Sequence, residues 1–86
     1  MTPDERILVK IRSAEQFVND AFYTYNDDAT PVYGEGVRDY AMAYLGRAML
    51  TAVAGSESFI YVSEAYARNP LFVERCFDLV NAFFRD

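Results

Sequence analysis

Val37–Ala54, VRDYAMAYLGRAMLTAVA, is the stretch on which the reading of this chain turns. Wound at 3.6 residues per turn, it carries apolar side chains around nearly its whole circumference. Arg38, Asp39, Arg47 and Thr51 are the interruptions. A helix that is apolar all round has to be covered on several sides. Its small residues, Ala41, Ala43, Gly46, Ala48, Ala52 and Ala54, let covering elements come close to the backbone. The stretch therefore predicts an all-α chain: a compact four-helix domain whose second helix, about 37–54, is central. Gly55 is placed to end that helix in a left-handed cap.

Working outward, Thr2-Pro3-Asp4-Glu5 is a helix start, with Thr2 as cap, proline at the first helical position and Glu5 completing a capping box. Ile7, Ile11, Ala14, Val18, Ala21, Phe22 and Tyr25 then recur on one face, which predicts a first helix running to about Tyr25. Asn26–Gly36 holds acids, a proline and two glycines and reads as an eleven-residue connection, long for a helix–helix link. Tyr33 is its natural anchor, and Thr30-Pro31 is placed to start a further short turn.

Downstream, Ser56 caps a third helix over Glu57 to about Arg68, with Phe59, Val62 and Tyr66 inward and a Glu64–Arg68 pair outward. Asn69-Pro70 repeats the cap-and-proline start. The fourth helix turns Val73, Cys76, Phe77, Val80, Phe83 and Phe84 inward. Nothing in the chain alternates at period two over a strand's length.

The 86 residues bound one domain, residues 1–86, with one small core. Apolar residues make up 52% and aromatics 16%, which argues against disorder. The single cysteine, Cys76, excludes an internal disulfide and falls on an apolar helix face, where a buried inert thiol is the expectation. Charges within the first twelve residues do not suit a signal peptide, and Arg47 breaks the longest apolar run short of a membrane span. A soluble cytoplasmic protein is expected. With a net charge of −5 and eight scattered bases, neither nucleic acid nor membrane is an expected partner.

Catalytic chemistry is thinly provided for. The chain has no histidine, and so lacks the usual general base and the commonest metal ligand. Gly34-Glu35-Gly36 lacks the continuation of a dinucleotide-binding loop. The loop acids Asp27, Asp28 and Glu35 miss the spacing of a calcium loop and read as solvated. Glu74 and Asp78, one turn apart, read as wet surface. The expectation is no catalytic residue, no cofactor and no metal, and the chain is not read as an enzyme. Arg47 stands out, sharing one side of its helix with Tyr40 and Thr51. It either snorkels or pairs with an acid on a neighbouring helix, or it reaches out as an anchor toward a partner.

One pattern resembles the tetratricopeptide repeat: Leu45-Gly46, then Ala65 and Pro70, over roughly Asp39 to Val73. Met42 and Met49 stand where that repeat has aromatics, and Ser58 and Val62 replace its alanine–phenylalanine pair. Gly55 falls two places late, and no second copy precedes it. The resemblance implies a packed hairpin of the second and third helices and, were it to extend to function, peptide binding on a concave face.

Finally, Val9, Tyr23, Ile60, Tyr61, Leu71 and Leu79 fall off every buried stripe, and Tyr33 sits in the connection. Either the bundle covers them, or another protein or a second copy of the chain does. Together with Arg47 they are the candidate protein-interface residues. The function expected is a small protein-binding or regulatory protein (an adaptor, a chaperone-like subunit or an inhibitor of the kind mobile elements encode). The alternative is a structural subunit of a larger assembly.

Overall fold

A computed structural model describes residues 1–85 and contains four α-helices: α1 (Pro3–Tyr23), α2 (Glu35–Leu50), α3 (Glu57–Arg68) and α4 (Pro70–Phe84). The chain is all-helical as expected, and α2 makes the most extensive helix–helix contacts. Its contacts with α4 and α1 are extensive and those with α3 slight. Ala41, Met42, Ala43, Leu45, Gly46, Ala48 and Met49 are buried on it. Ile11, Ala14, Val18 and Ala21 of α1 and Val73, Cys76 and Leu79 of α4 close the core around them.

The helix starts follow the chemistry of their caps. Thr2 Oγ1 accepts from the Glu5 amide at 3.2 Å, Ser56 Oγ from the Phe59 amide at 3.2 Å, and Asn69 Oδ1 from the Phe72 amide at 3.3 Å. Asn69 also closes α3, its amide donating to Ala65 O at 3.0 Å, so one residue serves two helices.

Four expectations need correction. α2 begins two residues earlier than Val37, because Gly34 is extended and the glycine-flanked Glu35 fits the first turn. It ends at Leu50, four residues before Ala54. There the Thr51 hydroxyl takes the Ala48 carbonyl at 2.7 Å, and the Thr51 and Ala52 amides tighten onto Ala48 O and Met49 O. Gly55 does adopt φ +85°, but in the turn after the helix. α1 stops at Tyr23, since Tyr25 pairs with Pro31 in an isolated antiparallel bridge that folds the connection back.

The resemblance to a repeat hairpin fails on packing. Gly46 lies against α4, where a β-carbon would come within 2.4 Å of Cys76 O and 2.9 Å of a Val80 methyl. The glycine marks a crossing of α2 and α4, and α3 packs largely elsewhere. Asp39 meets Arg75 while its neighbour Tyr40 meets Phe83 and Phe84, more than two turns further along α4. The two helices therefore cross rather than run side by side.

The phase of α3 also differs. Val62 packs on the core as expected, but Phe59 and Tyr66 are exposed, and the helix seats Ser58, Tyr61 and Ala65 in their place. Polar contacts from α1 decide this: the Asp4 carboxylate accepts from the Glu57 amide at 3.2 Å, the Ser58 amide at 3.3 Å and the Ser58 hydroxyl at 2.5 Å. Asp4 thus adds a cap from another helix to the one Ser56 supplies. Its carboxyl is held below the usual range, first by the Ser58 hydroxyl and then by the Ser56 and amide donors, against some desolvation.

Candidate protein-binding site

α2 calls for cover on several sides, and one of its sides stays open. Val37, Tyr40, Tyr44, Arg47 and Thr51 recur at spacings of three and four residues and form one exposed line along the helix. Tyr40 is 39% and Tyr44 41% exposed. Their rings are flanked by α1 on one side and α4 on the other. Phe17 meets Tyr40 and Tyr44 edge-on, at centroid distances of 6.0 and 6.1 Å. Phe83 stands edge-on to Tyr40 at 5.6 Å, and Phe84 lies 5.6 Å from Tyr40 and 6.5 Å from Tyr44. The Arg47 guanidinium sits over Phe84, 4.8 Å from the ring centre. Three helices thus contribute to one continuous aromatic face. Such edge-to-face pairs are worth about 0.5–1.5 kcal/mol each beyond area burial, which holds the rings in place even though water reaches them.

The opposite flank of α1 carries a groove of 510 Å³, lined by Glu15, Val18, Asn19, Phe22 and Tyr23 against Asn69 and Phe72, with Leu45 of α2 also lining it. A smaller hollow shares Glu15, Leu45, Asn69 and Phe72 and extends to Tyr61 and Arg68. Here the Tyr61 hydroxyl donates to the Glu15 carboxylate. Partial burial and then that carboxylate push the phenol up to about 12.

The candidate interface residues separate into distinct sites. Arg47 belongs to the aromatic face, and among the described residues it pairs with no acid. Among the described residues the ion pair formed is Asp39–Arg75 at 3.9 Å, and Glu64 does not reach Arg68. Tyr23, 74% exposed, stands at the end of the groove. Val9, Ile60 and Leu71 are exposed but isolated from both surfaces, and Tyr33 is half-exposed in the connection. Two placements are corrected. Leu79 is 6% exposed and lies in the core, because the α2–α4 crossing widens the buried arc of α4. Tyr61 packs partly against the core with its hydroxyl spoken for.

Phe17, Tyr40, Tyr44, Phe83 and Phe84 are not among the interface candidates the sequence offers, and Phe83, expected inward, is 41% exposed. The signal was present: Arg47 in the last turn of α2 and Thr51 just past its end lie on the same line as Tyr40 and Tyr44 and mark the solvent side.

Elsewhere the carboxylates have local partners. Asp28 accepts from the Thr30 hydroxyl at 2.6 Å and the Thr30 amide at 3.1 Å, which lowers its pKa and shapes the connection. Glu74 accepts from the Tyr66 hydroxyl at 2.6 Å, which raises the phenol's pKa. Cys76 is fully buried and its thiol is pushed up to about 12 by desolvation. Among the described residues no three potential metal ligands gather, and no helix is long and apolar enough to cross a membrane. In comparisons with known proteins, the chain matches no family model, no curated protein and no solved structure.

Proposed function

We propose that this protein works by binding another protein through the aromatic face of α1, α2 and α4. The observation that carries this reading is the open line Val37–Tyr40–Tyr44–Arg47 on a helix whose other sides are buried. Tyrosine and arginine are the side chains that dominate binding hot spots, and ordered rings lose little freedom on docking.

The test is a paired capture from the native host with wild type and Tyr44→Ser as baits, after circular dichroism and thermal melts show that both are folded. A protein held by wild type and lost by Tyr44→Ser is the expected result. An identical set of captured proteins with both baits would contradict the proposal. Insolubility of the chain expressed alone, cured only by a co-expressed partner, would favour a permanent structural subunit over an adaptor or inhibitor.

A further inference from the structure

One end of the aromatic face has a charge opposite to that of the chain as a whole. Lys10, Tyr44, Arg47, Ala48 and Thr51 line a hollow of 320 Å³ where α1 passes the last turn of α2. The chain has thirteen acids to eight bases, yet among the described residues no acid lines this hollow. Among the described residues neither Lys10 nor Arg47 has a carboxylate within 4.0 Å. Stacking on Phe84 places Arg47 without neutralising it. Two exposed cations, unpaired among the described residues, therefore border an apolar surface of Tyr40, Tyr44 and Phe83.

We infer that this face receives an acidic segment of a different protein, with a carboxylate entering the Lys10–Arg47 hollow and apolar side chains lying across Tyr40, Tyr44 and Phe83. The inference rests on the protein-binding function proposed above and names the chemistry of the partner. The hollow lies beside the C-terminal end of α2, whose free carbonyls amount to roughly half a negative charge. Two full positive charges outweigh that. A planar carboxylate suits the forked donors of Arg47 better than a point anion does. A second copy of the chain fits less well. A two-fold interface brings the same patch to both sides, and among the described residues this patch has no acid to offer Lys10 and Arg47. Phosphate of a nucleic acid would meet the same cations, but the net charge of −5 around them repels an extended polyanion.

The experiment is selection of displayed random 12-residue peptides on three folded baits: wild type, Lys10→Glu/Arg47→Glu, and Tyr44→Ser. Wild type is expected to enrich peptides with Asp or Glu beside aromatic or aliphatic residues. The charge-reversed bait is expected to bind those peptides about 10-fold more weakly or worse and to enrich Lys or Arg in their place. Apolar peptides without acids, lost on Tyr44→Ser, would overturn the acidic partner while leaving the docking face standing. Peptides indifferent to Tyr44→Ser would overturn both. Sedimentation showing a concentration-dependent dimer that Tyr44→Ser abolishes would assign the face to a second copy, and so would also overturn the inference.

Discussion

Gly46 shows how much one residue fixes. With no side chain, it lets α2 and α4 cross so closely that a β-carbon would strike the Cys76 carbonyl, which is backbone and cannot step aside. Gly46→Ala is expected to lower the unfolding free energy in urea by about 2–3 kcal/mol, as overpacking of a tight core does. A change below about 0.5 kcal/mol would mean that the crossing is looser than described. Ala29 is the converse case, a non-glycine residue at φ 67° in the folded-back connection. Ala29→Gly relieves that left-handed strain but adds freedom to the unfolded chain, so a net gain of about 0.5 kcal/mol is expected in the same assay. The sequence made the need for a small residue at position 46 legible. It did not tell which helix would use the gap, because that depends on a crossing between segments some thirty residues apart. Nothing local marks Ala29.

At the scale of elements, α1, α2 and α4 were legible because hydrophobic periodicity and cap chemistry agree along them. The phase of α3 was not. Its period-3.6 pattern permits Phe59–Val62–Tyr66 as the inner face, and two distant carboxylates, Asp4 and Glu15, select Ser58 and Tyr61 instead. A hydrogen bond across more than forty residues leaves no trace in local spacing. Ser58→Ala, which removes a buried hydroxyl bonded to a carboxylate, is expected to cost about 1–2 kcal/mol and to speed amide exchange in the first turn of α3.

The same clamp gives a pH dependence of known sign. Asp4 has a folded pKa below its ordinary 3.8, so its contribution is present above that value and is lost as pH falls through the depressed folded value. Asp4→Asn removes this titration. The stability gap between wild type and Asp4→Asn should therefore be widest near neutral pH and close below pH 3.8. Asp28 titrates in the same direction in both proteins and cancels in the comparison. A gap that stays constant across the acid range would show that the Asp4 charge does not clamp α3.

For the whole molecule, the four-helix arrangement with a central second helix follows from the one apolar stretch. Its apolar circumference calls for cover on several sides, and an apolar surface has two ways of being covered: by the chain itself or by something else. Aromatic side chains count as apolar in either case, so composition alone did not separate core tyrosines from docking tyrosines. Three-dimensional packing separates them, leaving Tyr40 and Tyr44 half-open between Phe17 and the Phe83–Phe84 pair. The most direct test replaces Tyr44 with a photo-activatable phenylalanine analogue in the native host and, as a control, does the same at exposed Ser63 on α3. After irradiation, a covalent adduct to one other protein from position 44 and none from position 63 is expected. No adduct from position 44, or the same adducts from both positions, would contradict a docking role for the open flank of α2.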